Sequence, residues 1–166
     1  MAVIIRQWKT DDANNLVKYA NNIHIWNNLR NYFPHPYTME HATAWIDNSF
    51  VATPVINFAI DLDGEAIGGI GLIFNTDVYV LSAEIGYWIG EEFWGKGITT
   101  EAIRQMVEYS FYYFDIVRIY AEVFENNKAS MRTLEKNGFY LEGVRRKSVF
   151  KNNAIMDDYI WVKLRP

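Results

Sequence analysis

Glu-Ile-Gly-Tyr-Trp-Ile-Gly-Glu-Glu-Phe-Trp-Gly-Lys-Gly-Ile-Thr-Thr-Glu, residues 84–101, is the stretch that decides how this chain folds. Apolar alternation runs into a glycine-flanked turn, and the turn opens at once into a helical pattern. Gly95 and Gly97 let the backbone approach a ligand closely, and the first unpaired N–H groups of the following helix point outward at a partial positive charge. The segment therefore reads as an anion site suited to a phosphate-bearing ligand. Two other readings fit the same letters. Gly90-x4-Gly95-Lys96 matches a nucleotide P-loop at all but its last position, where Gly97 lacks the hydroxyl that would hold Mg²⁺. Two glycines can also simply turn a strand into a helix.

Outward from this segment, composition narrows the classes. A chain of 166 residues, half of them hydrophobic and 22% charged, has the profile of one globular domain, residues 1–166, with a sizeable core. No apolar run approaches the roughly 20 residues of a membrane span. Residues 1–8 read as a strand rather than a basic-then-apolar leader, so the expected compartment is the cytoplasm. A net charge of −4 without a basic block argues against nucleic acid as a partner. The absence of cysteine excludes disulfides, thiolate zinc sites and a covalent enzyme thioester. His24, His35 and His41 lack metal-ligand spacing, so no metal is expected.

Period and punctuation then give the elements. Residues 3–8 alternate as a strand, Asp11 or Asp12 is placed to cap a helix to about residue 20, and a shorter helix follows over 23–29. Residues 31–37 form a proline-pinned loop, after which Thr38 caps a helix to about residue 50; His41 is a weak partner for a capping box. Strands over 55–62 and 65–74 flank the turn signal Asp63-Gly64, and 79–90 is the next strand. A helix over 98–114 buries Ile98, Ala102 and Met106 on one stripe. A strand over 117–124, a helix over 127–137 ended by Gly138, and a hairpin around Asn152-Asn153 complete an α/β domain with a mixed sheet.

A second segment, Asn127-Lys-Ala-Ser130-Met-Arg-Thr-Leu134-Glu-Lys-Asn-Gly138-Phe139, is locally an ordinary capped helix. Glu-Ile-Gly-Tyr-Trp, then Trp-Gly-Lys-Gly-Ile-x-Thr-Glu-Ala, then Asn-x-x-Ser-x3-Leu-Glu-Lys-x-Gly-Phe, in that order and spacing, resembles the GNAT N-acetyltransferases and within them the RimJ/RimL branch. The resemblance implies an acyl-CoA N-acyltransferase fold, a central, mostly antiparallel sheet with flanking helices, and an enzyme that acetylates an amine with acetyl-CoA. It implies that Trp94, Gly95, Lys96, Gly97, Ile98 and Thr99 hold the cofactor's pyrophosphate, that the backbone of Trp88, Ile89 and Gly90 pairs with the pantetheine arm, and that Asn127 and Ser130 lie near the thioester. Two positions depart from the superfamily pattern. Glu92 stands where Gln or Arg is usual and should turn to solvent. Leu134 replaces a tyrosine that protonates the leaving thiolate in many members, a part that Ser130 takes in this branch.

Without cysteine the amine must attack the thioester directly in a ternary complex, which calls for a base and for stabilisation of the departing thiolate. Strand alternation puts Glu84 on the mixed face with Gly86 and Trp88, and Glu84 matches the catalytic glutamate of several family members. Glu122 is the rival base, with pairing to a nearby arginine as its other role. Phe33, His35, Tyr37 and Trp88 are candidate walls of the acceptor site. The acceptor is a protein N-terminal α-amine or a small-molecule amine, since an α-amine near ~7.7–8.0 is easier to neutralise than lysine near ~10.4. A non-catalytic acyl-CoA-binding domain is the competing class. Monomer and homodimer are both allowed.

Overall fold

Seven strands form one sheet, in the spatial order Val3–Arg6, Asn57–Leu62, Glu65–Phe74, Ser82–Ile89, Arg118–Phe124, Ala154–Leu164, Tyr140–Lys151. The computed structural model describes residues 1–166. The strands are β1 (Val3–Arg6), β2 (Asn57–Leu62), β3 (Glu65–Phe74), β4 (Ser82–Ile89), β5 (Arg118–Phe124), β6 (Tyr140–Lys151) and β7 (Ala154–Leu164). The helices are α1 (Ala13–Ala20), α2 (Ile23–Trp26), α3 (Met39–Ser49), α4 (Ile98–Tyr113) and α5 (Lys128–Lys136). The expected order of strands and helices is found. Every neighbouring pair is antiparallel except β4 and β5, which run parallel.

That one parallel pair shapes the molecule. Its ladder holds only Ser82↔Arg118, Ala83↔Ile119 and Glu84↔Tyr120, although β4 continues to Ile89 and β5 to Phe124. Beyond Glu84 the two strands part, so the sheet contains an internal gap rather than a continuous ladder. α4 follows β4 and α5 follows β5, which sets both helix starts beside the open end of the gap.

The two sheet faces are filled differently. Ile85 and Ile89 of β4 join Ile119 and Val123 of β5 under α4 and α5, whose Ile103, Met106 and Leu134 are fully buried. Burying a large aliphatic side chain contributes about 1.5–3 kcal/mol, and this cluster is the main one. A smaller core of Trp8, Leu16, Tyr37, Ala42 and Ile46 lies beneath α1 and α3, with Trp88 packed at its edge.

Local chemistry moved several expected boundaries. Asp12 precedes α1 but makes no side-chain cap; its carboxylate accepts instead from Arg6 and from the Lys9 N–H at 2.8 Å. α2 ends after one turn. Thr38 and His41 do form a reciprocal box, the His41 N–H donating to Thr38 Oγ1 at 3.3 Å and the Thr38 N–H donating to His41 Nδ1 at 3.1 Å. A short 3-10 turn over Asp77–Tyr79 delays β4 to Ser82. No helix is long and apolar enough to cross a membrane.

Candidate active site

The loop from β4 to α4 presents donors without acceptors. Gly95 and Gly97 sit at φ +74° and +78°, which a residue with a Cβ adopts only with strain, and a Cβ added at either would meet nothing within 4 Å. The first helical hydrogen bond runs from the Glu101 N–H to the Gly97 carbonyl at 3.2 Å. The N–H groups of the six residues from Gly95 to Thr100 find no acceptor within the chain. Such a row at the positive end of α4 fits a pyrophosphate. A cleft of about 430 Å³ lies beside it, lined by Met1, Val3, Lys96, Gly97, Ile98 and Glu101. Glu101 does not oppose an anion freely, because hydrogen bonds from Arg104 and Gln105 engage it and hold it at about 2. Glu92 is exposed, as its sequence position suggested, and so is Lys96. The P-loop reading fails on hydrogen bonding: the Gly90, Phe93 and Trp94 N–H groups that would cradle a phosphate donate instead to the carbonyls of Ile67, Gly90 and Glu91, at 2.8, 3.0 and 3.1 Å.

The gap offers a backbone edge. The Val117 N–H donates to the Leu81 carbonyl at 2.9 Å, and the Gly90 N–H donates to Ile67 of β3 at 2.8 Å. Alternation therefore turns the polar groups of Ile85, Tyr87 and Ile89 toward the gap and those of Trp88 and Gly90 toward β3. The edge expected over Trp88, Ile89 and Gly90 is thus carried by Tyr87 and Ile89. The indole N–H of Trp94 already donates to the Ile89 carbonyl at 3.0 Å, leaving the Ile89 N–H as the open group. Trp94 works here as a brace for the loop.

On the α5 side of the gap, Asn127 caps its helix by accepting from the Ser130 N–H at 3.2 Å. This fixes Ser130 so that its hydroxyl lies 2.6 Å from that of Tyr87. Burial pushes the Tyr87 phenol well above its ordinary range, and the Ser130 contact offsets only part of that. Leu134 is wholly buried and takes no part.

On the opposite face the head of the gap is charged. Arg30, from the loop after α2, donates to Glu84 Oε1 at 2.5 Å and to Glu122 Oε2 at 2.7 Å, bridging the two parting strands. Arg145 of β6 pairs with Glu122 at 2.8 Å and with Asp158 of β7. Burial holds the Glu84 carboxyl above its usual value; Arg30 pulls it down, while Glu122 and Asp158 push it up. A carboxylate so placed is a better base than a solvated one. Arg30 engages only Oε1, so Oε2 has no protein partner. A second cleft of about 330 Å³ opens beside this network, lined among others by Arg30, Asn31, Glu122, Arg145, Lys151 and Asp158.

None of the aromatic residues expected to wall the acceptor site lines that cleft. Tyr37 belongs to the smaller core, where burial pushes its phenol to about 12. Phe33 stacks between Tyr37 and Trp88, at 5.2 and 5.8 Å, and His35 lies exposed 5.9 Å from Trp26. Phe33 and Trp88 are drawn to buried apolar surface; the neighbouring Arg30 and Asn31 reach the cleft instead. Sequence reasoning missed Arg30, Tyr87, Arg145, Lys151 and Asp158. Only Tyr87 carried a local signal, a hydroxyl on an otherwise apolar strand face. Glu122 does pair with arginine, though with Arg30 and Arg145, while Arg118 is taken by Glu142 at 2.6 Å.

Comparison with known proteins bears on this arrangement. A family model described as acetyltransferase (GNAT) domain matches residues 2–140. The Bacillus subtilis (strain 168) protein named "Probable N-acetyltransferase YjcK" is 41% identical over 97 residues, covering 58% of this chain and 53% of that one. The ribosomal-protein-serine acetyltransferase of Escherichia coli (strain K12) is 30% identical over 108 residues, 64% of this chain and 59% of that one. The chain therefore spans little more than half the length of these curated relatives. The solved structure of Mycobacterium smegmatis RimJ in complex with CoA-disulfide shares the fold, with a TM-score of 0.84 at 24% identity over 98% of this chain and 81% of that one.

Proposed function

Because this chain belongs to the GNAT acetyltransferase family, with relatives of the RimJ/RimL kind, we propose that it transfers the acetyl group of acetyl-CoA to a primary amine by direct attack in a ternary complex. The observation that carries the reading is the parting of β4 and β5. It joins the row of free N–H groups on one side of the sheet to a half-buried carboxylate on the other. Acetyl-CoA supplies an activated acyl group and a thiol leaving group. The residues of this chain divide the remaining work. The backbone from Gly95 to Thr100 holds the pyrophosphate, and the Tyr87–Ile89 edge aligns the pantetheine arm as an added strand would. Glu84 takes the proton of the incoming ammonium on its free Oε2. Ser130, oriented by its Asn127 cap and by Tyr87, donates a hydrogen bond to the departing sulfur; a thiolate with an ordinary value of roughly 8.5 needs no full proton transfer. The acceptor is an N-terminal α-amine or a small amine, whose neutral form a carboxylate can supply more readily than that of lysine.

The short contact between Arg30 and Glu84 favours a second reading, in which Glu84 only braces the gap and the chain binds acyl-CoA without turnover. Glu84→Gln separates the two. We expect acetyl-CoA binding, read by calorimetry, to persist while thiol release with an amine acceptor falls by roughly a hundredfold or more, the scale of general-base catalysis. Undiminished thiol release would remove Glu84 from the mechanism. Binding without release for any amine in the unaltered protein would establish the second reading.

A further inference from the structure

Beside the acceptor cleft, Lys151 carries a charge that acetyl transfer leaves unused. It ends β6 and is only 3% exposed. An ammonium has three donors and no acceptor capacity. One N–H of Lys151 donates to Asn31 Oδ1 at 2.9 Å, and the Trp26 ring centre lies 3.2 Å from Nζ. No carboxylate pairs with it, in contrast to Glu122 and Asp158, which share Arg30 and Arg145 between them. Burial pushes the ammonium below its ordinary value, and no counter-ion offsets this. The fold does not require the charge, since a methionine would fill the same length against Trp26 without the cost of desolvating an ion.

We propose that Lys151 reads a carboxylate on the acceptor, so that the preferred acceptor is zwitterionic: an amine with an acidic group a few bonds away. This rests on the acetyl-transfer reading above. The remaining N–H of Lys151 takes the carboxylate while the amine is presented to Glu84 across Arg30. The cleft, at about 330 Å³, is at the small end of ligand pockets and suits an amino acid or the first residues of a peptide. Its lining sets Arg30, Arg145 and Lys151 against Glu122 and Asp158, and Glu84 behind Arg30 brings the balance only to neutral. A polyamine gains nothing from such a lining.

The test is thiol release from acetyl-CoA with matched acceptors whose α-amines are alike: Gly-Asp-amide against Gly-Asn-amide, Gly-Glu-amide against Gly-Gln-amide, and spermidine as the polycation. In the unaltered protein one acidic member exceeds its neutral partner by about tenfold in kcat/KM, the scale of one charge-assisted contact. Lys151→Met collapses that ratio, and Lys151→Arg keeps most of it. Equal use of acidic and neutral partners, or preference for spermidine, overturns the proposal without any variant. So does a ratio that survives Lys151→Met. Failure to bind acetyl-CoA at all would instead strike the acetyl-transfer reading, and this inference with it.

Discussion

Arg30 sits between two carboxylates on opposite banks of the strand gap, and its charge sets how basic Glu84 can be. Three effects compete at Glu84. Burial raises it, Arg30 lowers it, and Glu122 and Asp158 raise it again. Removing the cation leaves only upward effects, so Arg30→Gln raises Glu84 further. If ionised Glu84 is the base, activity is lost as pH falls through its folded value, and that acidic limb moves to higher pH in Arg30→Gln. A pH profile of kcat checks this, and an unmoved limb would show that another group titrates. Glu84 was legible in the sequence because strand alternation assigns it a face. Arg30 was not, because its partners lie 54 and 92 residues away and nothing in its own neighbourhood marks it. The aromatic residues expected as acceptor walls lie apart from the charged cleft for a related reason. Apolar character says that Phe33 and Tyr37 are covered, but not what covers them, and here it is the core beneath α1 and α3.

At the scale of elements, the turn into α4 does two things with one backbone shape. A left-handed Gly97 caps the helix and aims its first N–H groups outward. Gly97→Ala tests both. The left-handed position costs an alanine about 1–2 kcal/mol. The new methyl meets no protein atom within 4 Å, so it intrudes on whatever lies against the cradle. We therefore expect a modest fall in unfolding free energy together with a loss of about tenfold or more in acetyl-CoA affinity by calorimetry. A stability loss with unchanged affinity would show that the cradle does not hold the cofactor. This element was readable because glycine spacing and helix periodicity are local. The charged cleft was not, because β6 and β7 pair with a slip. From Arg145↔Asp158 to Val149↔Met156, β6 advances four residues against two of β7, with Lys147 at φ +51°. No turn residue announces this slip, yet the cleft-lining Ser148 lies within it and Lys151 lies just beyond it.

Across the whole molecule, Arg6 ties the layer of α1 and α3 to the sheet. It reaches from β1 to Asp12 at the start of α1 at 2.8 Å and to Asp61 of β2 at 2.6 Å. Both carboxylates are almost fully covered, at 5% and 3% exposure. Burial alone would raise Asp12, but hydrogen bonds from Arg6 and the Lys9 N–H outweigh it and hold the carboxyl below its usual range. A group lowered on folding stabilises above its unfolded value, and that support fades as pH falls through the folded one. In Arg6→Met the sign reverses at Asp12, because its buried carboxylate then faces that of Asp61 without a cation and is pushed up. Breaking such a pair costs about 3–5 kcal/mol at neutral pH. Protonation relieves the repulsion, so the gap between Arg6→Met and the unaltered protein narrows as pH is lowered toward the carboxylate range. Urea unfolding at neutral and mildly acidic pH reads both numbers. A penalty that stays constant with pH would mean that Arg6 contributes packing alone, and that the layers are held together by the apolar core around Trp8 and Tyr37.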